Sequence, residues 1–235
     1  MGSEKYVKYK NKIDKFSSHS LIVKQIIKMS PSNQNILDIG CFSGELLNRV
    51  KINQKVSNSY FGADLENYLS KEFSFIKFCS LDFNDKNLNK VFENQKFDIV
   101  ILGDILEHLV NPWSALSNIE QIIQDSSRIL ISIPNSGHWY FRLKILFGKI
   151  EYTNNGLFDK THLRFFTKKS SKELIKDSKF EIIELNYSSL PWENLFKGGF
   201  GSRILSIFER LLILLRPQLF AYQFIFLVKP VRRDK

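Results

Sequence analysis

One acidic residue and two glycines have a spacing that points to ligand binding. Asp38 lies in the apolar segment Asn35–Ile39, and Gly40 and Gly44 complete the pattern D-x-G-x-x-x-G. Glycine lets the backbone approach a ligand where a Cβ would collide. The spacing differs from the G-x-G-x-x-G of dinucleotide binders, and the turn carries no phosphate-loop lysine. It therefore suits the zwitterionic tail of an amino acid better than a phosphate.

Two further aspartates follow strand-like segments. Asp64 follows Ser59–Ala63, and Asp82 follows Phe75–Ser80. An isolated aspartate at such a position is often only a turn or cap residue. Aspartates that follow consecutive strands in order, however, predict one binding site along the carboxyl edge of a sheet.

A cluster of two carboxylates and an imidazole follows the segment Phe97–Leu102. Asp104, Glu107 and His108 fall within about one helical turn. Such side chains act as acid–base groups or as ligands of a divalent cation. The alternative is that Glu107 and His108 only cap and orient the loop.

His162 is the preferred catalytic base. It lies in the segment Asp159–Thr167, among the loops that build the acceptor side of the predicted site. An imidazole titrates near neutral pH and can accept the proton of a hydroxyl. The alternative, which the sequence leaves open, is a structural hydrogen-bonded cluster of Asp159, His162 and Arg164.

In their order along the chain, these motifs resemble those of class I S-adenosylmethionine (SAM)-dependent methyltransferases. The matching segments cover nearly the whole chain: Ile36–Leu46 (motif I), Tyr60–Asp64 and Ser80–Phe83 (second and third strands), Phe97–Leu109 (motif IV) and Arg128–Asn135 (fifth strand). Phe42 departs from the pattern, because many members have a third glycine there.

The resemblance implies which residues bind SAM. Asp38 and Gly40 would lie beneath the methionine part. Asp64 would accept hydrogen bonds from the ribose hydroxyls, and Asp82 would receive the adenine amino group. The remaining residues expected at the cofactor are their neighbours Cys41, Phe42, Gly44, Leu65, Phe83 and Gly103.

The acceptor side resembles the ubiquinone-biosynthesis and methionine-biosynthesis W-like bacterial methyltransferases, which have a segment similar to Asp159–Thr167. An acidic-x-x-Glu-His pattern holds a divalent ion in the ubiquinone group and in small-RNA 2′-O-methyltransferases. The resemblance therefore implies Asp104, Glu107 and His108 as ligands if a metal is used, and His162, Glu107 and His108 as catalytic residues. Metal-free relatives carry a comparable Leu-Glu-His.

The elements that must position these residues alternate between strand-like and helical patterns. A helix is expected at Ser20–Met29, and Asn111 is expected to cap another helix that begins with proline. Such alternation predicts a parallel sheet covered on both faces. Phe180–Tyr187 and Phe220–Lys229 are expected to be closing strands that pair antiparallel. We predict an α/β fold with a doubly wound, seven-stranded, mostly parallel sheet whose last strand is antiparallel.

The chain is expected to divide into four parts. These are a basic helical lead-in (1–30), the SAM-binding core (31–188), a helical insertion (189–217), and a closing strand with a basic tail (218–235). The insertion contains Leu190–Trp192, a Gly198–Gly201 hinge and a helix at Ser202–Leu215. Nine large apolar side chains on this helix exceed one core-facing stripe. Three interpretations stand: a lid over an apolar acceptor, an interfacial helix on anionic lipid, or a buried helix packed on the domain or a second subunit.

Composition limits the remaining classes. The net charge of +10 suits an anionic membrane or substrate, or only solubility, and no RNP or zinc-finger motif supports a nucleic-acid partner. Cys41 and Cys79 are too few for a disulfide framework and are expected to be buried free thiols in the cytoplasm. The N-terminus has no apolar signal segment. Charges and a proline interrupt the apolar stretch Ile204–Val228, which makes it a poor membrane span.

We therefore expect a cytoplasmic SAM-dependent methyltransferase, with peripheral membrane contact as a variant. Its acceptor would be an oxygen of a small molecule, such as a prenylated, lipid or glycan precursor. RNA 2′-O-methylation and a non-catalytic, partner-binding role are the alternatives. Both metal use and homo-oligomerisation stay open.

Overall fold

The apolar segments predicted as strands lie in one seven-stranded sheet. The computed structural model describes residues 15–29, 32–54, 56–84, 87–154, 156–190 and 200–231. The strands are β1 (Asn35–Ile39), β2 (Ser59–Asp64), β3 (Ile76–Ser80), β4 (Phe97–Gly103), β5 (Ile123–Pro134), β6 (Phe180–Ser188) and β7 (Gln223–Pro230). Among these described strands, six run in one direction and β7 runs against them. The predicted sheet with an antiparallel last strand is confirmed.

The strand order β3-β2-β1-β4-β5-β7-β6 places β1 at the centre of the parallel region. The chain first builds β2 and β3 on one side of β1 and then crosses to β4 on the other side. In register, Asp38 of β1 pairs with Gly62 of β2 and with Ile101 of β4. Ligands of open α/β sheets bind at such a switch point, outside the carboxyl ends of the strands. The fold therefore places Asp38 where a ligand is expected.

β7 lies inside the sheet, between β5 and β6. It pairs antiparallel with both neighbours, and its side chains from Gln223 to Val228 are buried. A strand buried on both faces has a nearly continuous apolar sequence, as this one does. Of the two predicted closing strands, only β6 forms the edge.

Helices cover both faces of the sheet. They are α1 (Ser18–Met29), α2 (Glu45–Asn53), α3 (Leu88–Val91), α4 (Pro112–Asn118), α5 (Trp139–Leu146), α6 (Lys168–Asp177), α7 (Phe200–Leu215) and α8 (Pro217–Phe220), with 3₁₀ turns at Lys71–Phe73, Leu106–His108 and Ile119–Ile122. Ile22 of α1 and Leu47 of α2 pack in one core cluster with Ile36. Leu116 of α4 and Leu174 of α6 pack in the other core cluster. The doubly wound arrangement is thus confirmed.

The fourth crossover differs from the prediction at its end. Asn111 caps α4 as expected, because its side chain accepts a 3.1 Å hydrogen bond from the Ser114 N–H. The helix ends at Asn118, however, and β5 begins at Ile123 rather than at the predicted Arg128. A register shift between Phe97 and Ile99 of β4 absorbs the polar residues at the start of β5. Those polar residues concealed the first part of the strand.

Parts of three predicted segments fall outside the described residues. These are 1–14 and 30 of the lead-in, 191–199 of the insertion with half of its expected hinge, and 232–235 of the tail. α7 begins two residues before the predicted start. It buries Glu209 and Ile213, while most of its large apolar side chains are exposed. α7 is therefore not a core helix of this chain.

Candidate active site

The turn after β1 has a backbone conformation that favours glycine. Gly40 and Gly44 both have φ of +81°. A Cβ at Gly40 would lie 2.9 Å from Cδ1 of Ile105, and one at Gly44 would lie 2.7 Å from Cδ1 of Ile76. The Gly40 N–H donates a 2.8 Å hydrogen bond to the Ala63 carbonyl, which ties the turn to β2. The positive φ therefore favours glycine at both positions, and a Cβ there would also displace the ends of neighbouring side chains.

Asp64 fastens the end of β2 to the turn at Phe42. Phe42 has a left-handed φ of +44°, and its N–H donates a 2.9 Å hydrogen bond to Oδ2 of Asp64. Oδ1 of Asp64 accepts from the Leu65 N–H at 2.8 Å. The Phe42 ring packs against Tyr68, with centroids 5.4 Å apart. This charge-assisted bond accounts for a phenylalanine where a third glycine is usual in the motif.

A small open cleft lies beside the turn. Its lining comes from the turn, from the ends of β1 and β4, and from α1 and α2: His19, Asp38, Gly40, Cys41, Phe42, Ser43, Glu45, Leu46 and Gly103. Five residues predicted at the cofactor thus share this cleft. Two acidic side chains line it, and among the described residues His19 is the basic one.

His19 is a lining residue that the sequence reasoning missed. It lies in the first turn of α1 and is only 8% exposed. α1 packs on α2, where Nη2 of Arg49 donates a 2.8 Å hydrogen bond to the Ser20 hydroxyl. The helix itself was expected, but no local pattern links His19 to Asp38. Only the packing of α1 brings the two residues to one cleft.

The residues predicted for ribose and adenine lie farther along the same edge of the sheet. The Ser80 hydroxyl donates a 3.1 Å hydrogen bond to the Leu65 carbonyl, which keeps the ends of β2 and β3 together. Asp82 is exposed, and its Oδ1 accepts two 2.9 Å hydrogen bonds from Asn84. Phe83 is buried in the core. Asp82 and Phe83 are outside the lining of the described cleft.

Asp104 does not join Glu107 and His108, contrary to the predicted metal site. Its φ is +56°, and its carboxylate accepts hydrogen bonds from the Ser132 hydroxyl (2.5 Å) and from Nε2 of Gln223 (2.8 Å). These partners lie on β5 and β7. The left-handed backbone turns Asp104 toward the sheet, where it links three strands.

His162 takes the third place in the cluster instead. Glu107, His108 and His162 each offer one ligand atom, and these atoms lie within 4.8 Å of one another. Glu107 is buried and the two histidines are half-buried. Nδ1 of His108 lies 3.0 Å from the Thr161 carbonyl. Because a carbonyl only accepts, Nδ1 carries the proton, and Nε2 of the neutral ring keeps its lone pair.

Backbone hydrogen bonds hold the loop that carries His162. The N–H groups of Leu163 and Arg164 donate to the Glu107 carbonyl at 2.8 and 3.0 Å. Oδ1 of buried Asp159 accepts from the Thr161 N–H at 2.9 Å and from its hydroxyl at 2.6 Å. A structural role of Asp159 and a chemical role of His162 are thus compatible, because Asp159 positions the loop that carries His162.

Both cysteines are free thiols, but only Cys41 is buried. Burial, with Asp38 and Asp64 nearby, raises the pKa of the Cys41 thiol far above its usual range. Cys41 is therefore a neutral wall of the cleft. Cys79 is partly exposed, which corrects the expectation that both thiols are buried.

Comparisons with known proteins agree with this fold. A family model described as "Methyltransferase domain" matches residues 13–185. The ribosomal protein L11 methyltransferase of Fusobacterium nucleatum is 35% identical over 124 residues, or 48% of this chain. The chain spans only 36% of that protein's length.

Two solved structures share the fold. A SAM-dependent methyltransferase from Archaeoglobus fulgidus superposes with a TM-score of 0.58 at 20% identity, over 92% of this chain and 96% of its own. The plantazolicin methyltransferase BamL, in complex with a triazolic desmethylPZN analog and S-adenosylhomocysteine, has a TM-score of 0.63 at 15% identity. That match covers 97% of this chain and 90% of BamL.

Proposed function

The chain belongs to the Methyltransferase domain family, within the general class of SAM-dependent methyltransferases, and on this premise we propose that it methylates an oxygen of a small molecule. The expected acceptor is a prenylated, lipid or glycan precursor. SAM supplies a methyl group on a positively charged sulfur, which is a good leaving group. The acceptor oxygen bonds to the methyl carbon as the carbon–sulfur bond breaks and its electron pair stays on sulfur. The hydroxyl proton passes to a base.

The residues of the cleft fit the amino-acid tail of SAM. Asp38 would hold the ammonium group, and His19 would face the carboxylate. Asp64 would accept hydrogen bonds from the ribose hydroxyls, since each carboxylate oxygen accepts more than the one backbone bond that it has here. Asp82, flanked by Phe83, would accept a hydrogen bond from the adenine amino group. This hydrogen bond requires that the adenine lie along the carboxyl edge of β2 and β3.

His162 is the proposed base for the acceptor hydroxyl, with Glu107 and His108 as the competing pair. Nε2 of His108 has the lone pair needed to accept a proton. Positioning would supply most of the rate enhancement, because a bound near-attack geometry removes much of the entropic barrier. The base would remove the proton only as the oxygen becomes methylated.

Glu107, His108 and His162 would also hold a divalent ion, if the enzyme uses one. Two imidazoles and one carboxylate suit a transition metal better than Mg²⁺, which prefers oxygen ligands. A bound ion would lower the pKa of the acceptor hydroxyl. The same three side chains thus support both an acid–base and a metal-assisted version of the reaction.

The resemblance to ubiquinone- and methionine-W-like enzymes supports a small-molecule acceptor, and the two free cysteines support a reducing, cytoplasmic location. RNA 2′-O-methylation would require RNA binding that weakens steeply with salt. A non-catalytic role would require SAM binding without transfer to any acceptor. The experiment below separates these functions.

The observation that carries the proposal is that two features meet at the end of β4: the cleft, and the cluster of Glu107, His108 and His162. Gly103 lines the cleft, and the 3₁₀ turn Leu106–His108 begins three residues later. Purified protein should be incubated with methyl-labelled SAM and with cellular fractions of lipids, polar small molecules or RNA. Label is expected in the lipid or small-molecule fraction.

Matched variants make the assay specific. Asp38→Asn is expected to abolish both transfer and S-adenosylhomocysteine binding. Glu181→Gln breaks an exposed ion pair with Lys229 between β6 and β7, away from the cleft. This control should change neither methyl transfer nor S-adenosylhomocysteine binding. Label confined to RNA, or binding with no label in any fraction, would overturn the proposed function.

A further inference from the structure

The solvent side of α7 is apolar, and its protein side carries a glutamate. The exposed large apolar residues of α7 are Ile204, Leu205, Ile207, Phe208, Leu211, Leu214 and Leu215. At ~100° per residue, all but Leu205 fall within an arc of about 120°. Buried Glu209 and Ile213 lie on the opposite side, where the Glu209 carboxylate accepts a hydrogen bond from the Leu190 N–H. An ordinary surface helix has the reverse polarity.

A second exposed apolar segment runs from α5 into the turn that follows it. Its exposed members are Tyr140, Leu143, Ile145, Leu146, Phe147, Ile150 and Tyr152. α5 rests on the protein through Phe141, whose ring stacks on Phe158 with centroids 4.4 Å apart. Leu146 is 75% exposed, similar to Leu214 of α7 at 80%. Apolar surface on this scale marks an interaction site.

Hydrogen bonds bring α7 and α5 to the same edge of the sheet. α8 follows α7 after Arg216, and the Gln218 carbonyl of α8 accepts a 3.2 Å hydrogen bond from Nδ2 of Asn135. Oδ1 of Asn135 accepts from the Gly137 N–H at 2.9 Å, just before α5 begins. Asn135 follows β5, so both helices stand at the carboxyl edge, which also carries the cleft.

Basic residues border both apolar segments. Arg210 and Arg216 flank the exposed stripe of α7. Residues 139–152 contain Arg142, Lys144 and Lys149 against Glu151. Two copies of such a surface would repel each other, whereas anionic headgroups would attract it. Apolar side chains bordered by Lys and Arg are the composition of helices that lie in a lipid interface.

We propose that α7 and the α5 segment form one docking surface for an anionic lipid bilayer, on which the protein lies without crossing it. Among the described helices, none has the length and apolar content needed to span a membrane. The proposal deepens the proposed function, because the acceptor side would then open toward the bilayer that holds an apolar acceptor. Only the link between the bilayer and the acceptor rests on the proposed function. Docking itself is measured without methyl transfer.

The test is co-sedimentation of the full chain with phosphatidylcholine vesicles, with and without phosphatidylglycerol. The variant Ile207→Glu/Leu211→Glu changes two exposed positions of the α7 stripe. The matched control is Ile52→Glu, an isoleucine 70% exposed at the end of α2, toward the opposite edge of the sheet. Because all three side chains are exposed, melting temperature and S-adenosylhomocysteine affinity should stay unchanged in both variants.

Wild type and the Ile52→Glu control are expected to bind the anionic vesicles and to release them as salt is raised. The double variant should bind at least about tenfold more weakly, because two large apolar side chains no longer enter the lipid. Undiminished binding by the double variant, or equal binding to neutral vesicles, would overturn the proposal. So would a wild-type dimer that the double variant converts to a monomer, since a second copy would then cover the surface. Failure of wild type to bind S-adenosylhomocysteine would instead count against the proposed function.

Discussion

The ring of His162 packs against the ring of His108 with centroids 4.8 Å apart and planes at 70°. The two residues come from different loops, and the hydrogen bonds from Leu163 and Arg164 to the Glu107 carbonyl hold those loops together. The Thr161 carbonyl binds Nδ1 of His108, which leaves Nε2 of that ring to face a ligand or a proton.

Replacing His162 with glutamine is expected to lower kcat of methyl transfer by about 10²–10⁴, the usual contribution of a positioned base. Affinity for S-adenosylhomocysteine should not change, because His162 is outside the cleft. Steady-state rates and calorimetry measure the two quantities. Lys160→Gln, in the same loop, is the control. A rate equal to wild type would remove His162 as the base.

Metal binding distinguishes the cluster in the structure from the one predicted from the sequence. In titrations with Mn²⁺, Glu107→Gln and His162→Gln are both expected to lose the site. Asp104→Asn should retain it, because Asp104 contacts Ser132 and Gln223 instead. If Asp104→Asn loses Mn²⁺ binding and His162→Gln retains it, the site predicted from the sequence (Asp104, Glu107 and His108) would be correct. Full turnover in chelator, with no measurable Mn²⁺ affinity, would leave the three side chains an acid–base role only.

His19 is expected to recognise the carboxylate of the amino-acid tail. His19→Ala should weaken S-adenosylhomocysteine binding by about 1–3 kcal/mol, the value of a hydrogen bond to a charged group. It should leave 5′-methylthioadenosine unaffected, because that ligand lacks the tail. Asp64→Asn should weaken both ligands, since both carry the ribose. Equal losses for the two ligands in His19→Ala would indicate a structural role.

Gly44→Ala is expected to destabilise the fold more than Gly148→Ala. Both positions have positive φ, at +81° and +65°, which costs a Cβ-bearing residue about 1–2 kcal/mol. Only at Gly44 would the new Cβ also collide, 2.7 Å from Cδ1 of Ile76, whereas Gly148 has open space. The free energies of unfolding of the two variants in urea separate backbone strain, which both share, from the collision with Ile76, which only Gly44→Ala has. Equal free energies of unfolding would contradict the packing argument.

The stability of the fold is expected to fall in mild acid because of His138. Burial lowers the pKa of this imidazole to about 4, while the Phe220 carbonyl weakly opposes the shift. The unfolded chain takes up the proton near pH 6.5 and the folded chain only near 4. Between these values the unfolded state binds more protons, so as pH falls through this window the free energy of unfolding decreases by about 3 kcal/mol. In His138→Phe, the urea midpoint of unfolding should depend less on pH than in wild type. If the midpoints of wild type and variant change in parallel with pH, His138 is not the cause.

Local signals were enough to predict the sheet and the glycine turn after β1. The segment Asn35–Ile39 is short and apolar, and the positive φ at Gly40 and Gly44 explains their spacing. The acceptor side depends on partners distant in sequence. The orientation of Asp104 follows from Ser132 and Gln223, which no pattern around Asp104 reveals. His19 reaches the cleft only because α1 packs on α2.

The apolar helix α7 could not be placed from its composition. Its leucines and isoleucines suit a buried helix and an interfacial helix equally well. The deciding residue is Glu209, whose buried carboxylate fixes which side faces the protein. A single glutamate in an apolar helix does not predict that orientation without the Leu190 N–H beside it.

The internal position of β7 has a consequence for synthesis on the ribosome. β7 is the last of the described strands to be translated, yet it separates β5 from β6. Until residues 223–230 emerge, both neighbours present open backbone edges, which can pair wrongly with other chains. The strands beside the glycine turn at Gly40–Gly44 have no such delay, because β1 to β4 pair directly in the order of translation or soon after it. The nascent chain can thus pair β1 to β4 first, whereas the hydrogen bond of Asp104 with Gln223 forms only after β7 is translated.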